Sequence, residues 1–295
     1  MITNFDLRQR MRRVIKPNMQ VLLVIALIAA LPSLIASVVN VMTYSNLINY
    51  LYDNGVDTAA TIAQLMEALE AFFFERGWII PAVGLVQVLV APVLTLGLIY
   101  ATLTLLRGGT ATVSTVFSRI GVWFRSILLF LLVMLKVFLW MLPGVALITV
   151  TMLLGNDTLF TITSAVAPLL MAVPALMAAY RYAMAEFFLA DEPETGVIAC
   201  VRQSKAVMQG RKLQLLSLEL PYLAGSYLAS SLISILLSGA IGGMLSMMVQ
   251  LIFTVYLYGA RCAFFEAYSR PGGGMAHAFQ SDPYHDDPYR GEMKE

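Results

Sequence analysis

Six charged side chains lie inside long apolar stretches of this 295-residue chain, and they are the residues most able to support chemistry there. They are Lys136, Arg181, Glu186, Glu219, Arg261 and Glu266. A charge near the centre of a lipid bilayer costs roughly 2.5–3.5 kcal/mol on insertion scales, so each one needs an explanation. Any carboxylate chemistry within these stretches would have to use the three glutamates.

The spacing of these charges bears on how they could pair. Arg181 and Glu186 are five residues apart, as are Arg261 and Glu266. Five residues turn a helix through about 140°, so neither pair shares a helical face. Partners must therefore come from other helices.

Two interpretations of these six charges remain open. One is a polar pocket that faces the cytoplasm between the third, fourth, fifth and sixth apolar stretches, anchored by Lys136 and Glu219. The other is that long side chains extend to the membrane interface, which we favour for the remaining four charges. Lys136 is the deepest, about 15 Å from the start of its stretch at helical rise.

No catalytic or metal-binding constellation accompanies the charges. The only two histidines are His277 and His285, close to the C-terminus, so the apolar stretches can hold no histidine-based triad or metal site. Glycine patterns for phosphate or dinucleotide binding are absent. We therefore expect a protein that is not an enzyme, with no cofactor and no metal.

The elements that must position these charges are apolar enough to cross a membrane. Hydrophobic residues make up 59% of the chain and charged residues 13%, whereas about a quarter of the residues of soluble domains are charged. A span needs about 20 apolar residues. The sequence predicts an all-α polytopic bundle, residues 1–270, with six spans at 18–43, 79–106, 126–154, 161–189, 213–237 and 244–268.

The distribution of basic residues predicts the orientation of the bundle. Fifteen of the 19 lysines and arginines fall in the N-terminal segment, the segments after the second and fourth spans, and the C-terminal tail. The opposite side carries only Arg76. Because basic segments stay in the cytoplasm, we expect both termini on the cytoplasmic face of the inner (plasma) membrane. We also expect the polar tail, 271–295, to be flexible.

Helical periodicity also marks segments between the predicted spans. Apolar stripes run through 57–76 on the outer side, and through 7–14 and 113–124 on the basic side. Such segments either lie in the membrane interface, where arginines contact anionic lipid, or pack as covers on the bundle. We favour the cover for 57–76 and lipid contact for the two basic segments.

A further amphipathic helix is predicted between the fourth and fifth spans. Asp191 and Pro193 should end the preceding helix, and Gly210 should turn the chain into the fifth span. Ile198, Val201 and Met208 are expected to lie on the membrane. The lipid phosphates would then be met by the neighbouring bases Arg202, Lys205, Arg211 and Lys212.

Three segments give the chain a resemblance to a known family. Phe138–Val145 contains a Leu-Trp pair followed by Pro-Gly, Tyr180–Met184 leads to an Asp-Glu-Pro sequence, and Ser204–Lys212 precedes the fifth span. Their order resembles the bacterial membrane family catalogued as domain of unknown function 975. The resemblance implies a multi-pass helical bundle and no particular activity.

Two functions follow as expectations. The first is a non-enzymatic integral membrane protein that acts through lipid or protein contacts, with anionic headgroups as partners, a homo-oligomer as a possibility and no nucleic acid. The second is a small transporter or permease with its polar site at Lys136, Glu219 and Arg181. A solvent-filled cavity that reaches Lys136 would favour transport.

Overall fold

The chain folds into an all-α bundle. The computed structural model describes residues 3–55, 62–155, 157–237 and 240–269, and no strand occurs among them. The α-helices are α1 (Asn4–Ile15), α2 (Met19–Asp53), α3 (Ile62–Arg76), α4 (Ile79–Leu106), α5 (Trp123–Leu139), α6 (Leu142–Leu153), α7 (Asp157–Tyr182), α8 (Ala185–Asp191), α9 (Val197–Val207), α10 (Lys212–Leu236) and α11 (Ala240–Tyr268). A 3-10 helix, Val113–Val122, precedes α5. The predicted tail, 271–295, lies outside the described residues.

The protein is a multi-pass membrane protein by the length and composition of its helices. Among the described residues, five segments are long and apolar enough to cross a bilayer. They are Met19–Asp53, Ile79–Leu106, Val113–Leu139, Thr158–Asp191 and Ile241–Tyr268. The helix α10 coincides with the predicted fifth span but is not among the five. The count of six spans therefore stays a prediction.

The predicted third span, 126–154, is not one continuous helix. It is divided into α5 and α6 by a turn at Trp140 and Met141. Pro143 has no N–H and leaves the Leu139 carbonyl without its helical donor, and Leu139 is the last residue of α5. With 12 residues, α6 is about 18 Å long and cannot cross a bilayer of about 30 Å alone.

The predicted fourth span, 161–189, is also interrupted, although no proline stands at the break. The helix α7 ends at Tyr182 and α8 begins at Ala185. Ser204 of α9 bridges the interruption, because its Oγ accepts a hydrogen bond from the Met184 N–H at 3.2 Å and donates one to the Arg181 carbonyl at 3.1 Å. The backbone groups freed by the break are thus paired by a neighbouring element.

Proline inside α10 is accommodated in a similar way. Pro221 removes the donor that would bond the Ser217 carbonyl four residues earlier. The Arg8 guanidinium of α1 donates to that carbonyl from Nη2 at 2.6 Å, and to the Leu218 carbonyl at 3.4 Å. A side chain from a neighbouring helix therefore re-satisfies the distorted turn, as membrane helices require.

The basic N-terminal segment forms a cover helix that is packed into the bundle. A capping box between Thr3 and Asp6 begins α1. Leu7, Met11 and Ile15 are fully buried, and Ile15 lies directly on Gly259 of α11, where an added Cβ would come within 2.1 Å of the Ile15 Cδ1. The glycine thus allows α1 to approach α11 closely.

The packed core lies at one end of the bundle. Buried apolar residues are concentrated in the first turns of α2, the last turns of α4 and α11, the start of α10, and the α7–α8 junction. At the same end lie α1, α9 and the 3-10 helix, which together carry seven of the 19 lysines and arginines. Apolar side chains elsewhere on the spans face outward, as expected of surfaces in contact with lipid.

Candidate functional site

Glu219 is the centre of a fully paired charge cluster at the basic end. Its side chain is 0% exposed, and Arg261 of α11 donates from Nε to Oε1 at 2.7 Å and from Nη2 to Oε2 at 3.1 Å. The Tyr180 hydroxyl of α7 donates to Oε2 at 3.0 Å. Both carboxylate oxygens are therefore occupied, which makes a buried carboxylate tolerable in this position.

The cluster exists because three helices meet where they are most tightly packed. Gly225 of α10 leaves room for the Phe253 ring of α11, since an added Cβ would come within 2.7 Å of that ring. Tyr222 of α10 stacks on Tyr256 of α11, one turn from the ion pair. These contacts fix the register in which Glu219 faces Arg261.

A second cluster joins the ends of three helices. Arg107, which follows α4, binds Asp191 through both carboxylate oxygens, with Nη1–Oδ1 at 2.5 Å and Nη2–Oδ2 at 2.9 Å. Its Nε also donates to Glu266 Oε1 of α11 at 2.7 Å. Asp191 and Glu266 are largely buried. One guanidinium thus holds the ends of α4, α8 and α11 together.

These pairs correct part of the sequence-based interpretation. We expected Arg261 and Glu266 to extend toward the interface without partners, and both are instead in ion pairs. The pairing of Arg107 with Asp191 was not predicted from the sequence, in which Arg107 is one of the bases that indicate orientation and Asp191 ends a helix. This cluster could have been predicted from the opposite charges at the ends of three adjacent spans.

Lys136 does not anchor the Glu219 cluster. The lysine is half-buried in the last turn of α5 and makes no ion pair with any described residue. Glu219 is saturated by Arg261 and Tyr180. The expected pocket between Lys136 and Glu219 is therefore not formed by a contact between them.

The two remaining charges have less definite surroundings. Glu186 is half-buried and makes no ion pair with a described residue, although it interacts electrostatically with Arg261 and Tyr258. Arg181 is also half-buried and without an ion pair among the described residues, and its carbonyl accepts the hydrogen bond from Ser204.

The helix α9 is docked on the bundle by one face. Val201 and Met208, which we expected on the membrane, are buried against the core together with Cys200, so that expectation was wrong. Ile198 is 69% exposed and remains available to lipid. Burial raises the pKa of the Cys200 thiol to about 11. The turn at Gly210, with φ of +75°, leads into α10 as predicted.

The four bases expected to contact lipid phosphate divide into two groups. Arg202 and Lys205 are exposed on the outer face of α9. Arg211 is engaged, since its Nη1 donates to the Val207 carbonyl at 3.1 Å and its guanidinium lies 4.6 Å from the centre of the Tyr268 ring. Lys212 is half-buried. Arg202 and Lys205 are thus the pair that can reach a ligand.

Two arginines in or next to the 3-10 helix connect it to other parts of the bundle. Arg125 donates to the Pro193 carbonyl, and its Nη1 lies 3.6 Å from Glu194 Oε2 in the loop that precedes α9. The Arg119 guanidinium stacks 3.8 Å from the centre of the Tyr100 ring of α4. Both side chains serve contacts within the protein, whereas Phe117 and Phe124 of the same segment are exposed.

Two open grooves occur on the described surface. One, of about 690 Å³, lies between α10 and α11 and is lined mainly by hydroxyl and apolar side chains, among them Ser226, Ser230 and Gln250. The other, of about 590 Å³, follows the basic face of α1. Neither groove reaches Lys136. In the described part of the chain, no three His, Cys, Asp or Glu side chains are grouped to hold a metal ion.

Comparison with protein families matches residues 1–270 to the family described as protein of unknown function (DUF975). The match extends over all the helices described above. No curated protein and no solved structure matches the chain.

Proposed function

The chain belongs to the DUF975 family of proteins of unknown function, and on that premise we propose that it is a non-enzymatic membrane protein whose basic end binds anionic lipid headgroups. In this proposal the basic end faces the cytoplasm from the inner (plasma) membrane, with both termini on that side. The bundle would act as a rigid platform through lipid and protein contacts.

One observation carries the proposal: the charges of this end are sorted between the interior and the surface. Glu219, Arg261, Arg107, Asp191 and Glu266 form closed ion pairs. Arg202 and Lys205 lie on the outer face of the docked helix α9 and make no ion pair with a described residue. Interior charges therefore stabilise the fold, and surface bases are left for an external anion.

The chemistry of the membrane surface favours lipid headgroups as that anion. The cytoplasmic leaflet carries negative surface potential, which is worth about 1 kcal/mol for each nearby Lys or Arg. Ile198 is exposed on α9 beside the two bases and supplies an apolar contact of the kind that interfacial helices bury among lipids.

The test measures which lipids surround the reconstituted protein. Full-length protein in bilayers of phosphatidylglycerol and phosphatidylcholine is probed with spin-labelled forms of each lipid. We expect selective association of phosphatidylglycerol, and about a fivefold loss of selectivity for each base removed in Arg202→Gln and Lys205→Gln. High salt should weaken the selectivity.

The matched control keeps the charge of α9 and changes its residues. Arg202→Lys combined with Lys205→Arg should retain the selectivity, because the attraction to a leaflet depends on charge. Equal association of both lipids with the unaltered protein, or selectivity untouched by the double glutamine variant, would contradict the proposal.

A second candidate function rests on Lys136. A lysine in a spanning helix without an ion pair among the described residues is what a transporter or permease would place beside a polar solute. A Lys136→Cys variant distinguishes the two functions. Labelling by a charged, membrane-impermeant thiol reagent would favour transport, and resistance to that reagent favours the lipid-binding platform.

A further inference from the structure

The groove on α1 is built from two rows of side chains at helical spacing. Arg8, Arg12 and Lys16 stand four residues apart along one side, and Phe5, Gln9 and Arg13 along the other, with Pro17 closing the end. Side chains four residues apart lie one above the other on a helix face. A basic wall therefore runs along about two turns at this end of α1, and we refer to this feature as the α1 groove.

The α1 groove is held in a fixed position on the bundle. Arg8 is bonded to the Ser217 and Leu218 carbonyls of α10. Asn4, one turn earlier, donates to the Ser217 Oγ at 2.7 Å. The opposite face of α1 is buried on Gly259. A ligand of this groove would thus meet bases whose helix is already ordered, which lowers the entropic cost of binding.

An unpaired donor lies at the junction of the α1 groove with α10. The Arg8 Nε is buried and has no hydrogen-bond partner among the described residues. The Tyr222 hydroxyl lies close to two bases of α1, since Arg8 and Arg12 both act on it electrostatically and Arg12 also interacts with it through a side-chain hydrogen bond. A buried donor without a partner is destabilising, so a group of this kind indicates a place for an acceptor.

We infer that the α1 groove binds the phosphate of an anionic lipid headgroup, an inference that rests on the proposed function and assigns it a specific site. A phosphate oxygen suits the planar guanidinium donors of Arg8 and Arg12, with the Lys16 ammonium adding a second positive charge beside them. In the described part of the chain, neither Arg12 nor Lys16 is used by an internal ion pair. Both are exposed on α1.

A lipid rather than free phosphate is the source that the surroundings favour. The Phe5 ring forms the end of the groove opposite Lys16 and is 72% exposed, although it is a large apolar side chain. In the membrane interface an aromatic ring in this position contacts the glycerol and upper acyl region of a lipid whose phosphate lies between the bases.

The test measures binding to the full-length protein in neutral detergent micelles. Titration with short-chain phosphatidylglycerol, followed by native mass spectrometry, should show one lipid retained per chain. In Arg12→Gln/Lys16→Gln the affinity should fall about 25-fold, at about fivefold for each base removed. Inorganic phosphate and uncharged short-chain diacylglycerol should each bind far more weakly than phosphatidylglycerol.

The matched control removes two positive charges from the same end of the molecule. Arg202→Gln/Lys205→Gln should retain the single tightly bound lipid, although it loses the selectivity measured in bilayers. The lipid site in the α1 groove and the bilayer selectivity of α9 can therefore be refuted independently of each other. Retention of the lipid by Arg12→Gln/Lys16→Gln, or equal binding of inorganic phosphate, would overturn the assignment of the α1 groove and leave the bilayer selectivity standing.

Discussion

At the scale of single residues, the partners of the buried charges are determined by which helices are adjacent. The sequence offered Glu219 three basic candidates in the other spans, Lys136, Arg181 and Arg261. Arg261 is the partner because α10 packs closely on α11 beside it, with Gly225 accommodating Phe253. The planar guanidinium also binds both carboxylate oxygens, which a lysine cannot do.

Removing one member of this pair should destabilise the protein strongly. Glu219→Ala leaves the Arg261 charge buried without its partner, and we expect the free energy of unfolding to fall by about 3–5 kcal/mol. Adding Arg261→Met should recover part of the loss. Reversible unfolding in mixed micelles with increasing sodium dodecyl sulfate measures both.

Lys136→Ala is the control for the Glu219 and Arg261 variants. It should change the free energy of unfolding by less than about 0.5 kcal/mol, as for a side chain without a specific partner. This change should add to the change caused by Glu219→Ala. Strong coupling between Lys136 and Glu219 would contradict the pairing described here.

The contribution of Arg8 to the free energy of unfolding should depend on Pro221. Arg8→Ala leaves the Ser217 carbonyl without a donor, which should cost about 1–3 kcal/mol. In a Pro221→Ala background the new N–H of residue 221 can bond that carbonyl, so the same Arg8→Ala change should cost less. Unfolding of the four proteins of this cycle gives the coupling, and an equal cost in both backgrounds would refute the role assigned to Arg8.

At the scale of elements, the short helices outside the spans stabilise places where the spans are interrupted. Ser204 of α9 pairs the backbone at the α7–α8 break, and Arg8 of α1 pairs the backbone at Pro221. Both helices therefore act as parts of the core. Their buried faces are apolar, and their outer faces carry exposed bases, among them Arg12, Arg202 and Lys205.

Because α9 is docked on the bundle, we expect Cys200 to react slowly with thiol reagents. The pH dependence of its labelling rate should also differ from that of an exposed cysteine. Cys200 is fully buried, and its thiol pKa of about 11 keeps it protonated at neutral pH. In a Cys262→Ser background, its labelling by maleimide should be slow at pH 7. The rate should continue to rise by about tenfold per pH unit well above pH 9, because only the thiolate reacts.

An exposed cysteine on the same helix supplies the comparison. Gln203→Cys, in a background without the two natural cysteines, should react quickly, and its rate should level off near its ordinary pKa of about 8.5. Equal rates at the two positions would show that α9 is not docked by the face that contains Cys200.

At the scale of the whole molecule, packing and charge are concentrated at the same end. The ion-pair clusters, the covers α1 and α9, and the densest part of the core lie together, while the opposite halves of the spans present apolar side chains outward. Bases retained on one side of a membrane protein orient the whole bundle.

This asymmetry predicts that the two termini lie in one compartment. Reporter fusions that are active on only one side of the membrane should give the same result when attached to the N-terminus and to the C-terminus. A fusion within 56–61, in the acidic segment that follows α2, should give the opposite result. Opposite results for the two termini would require an odd number of spans.

The sequence by itself determined that the long apolar stretches are membrane helices. It also determined much of the order of the elements. Long apolar stretches with few charges can be satisfied only as helices in lipid, so the all-α bundle was correctly predicted, and the bounds of α4 were predicted to the residue. The role of Gly210 was also predicted, because a chain that turns from one helix into the next favours glycine in the left-handed conformation, here at φ of +75°.

Only the tertiary structure decided how the charges pair and where the spans are interrupted. Apart from Lys136, the pattern of 126–154 carries no charge and predicts one continuous helix. The consequence of Pro143 depends on whether a neighbouring group replaces the lost hydrogen bond, as Arg8 does for Pro221. Likewise, Val201 and Met208 suit lipid and core equally by their chemistry. Periodicity identifies a face of a helix, whereas the surface that covers this face depends on contacts between residues far apart in the chain.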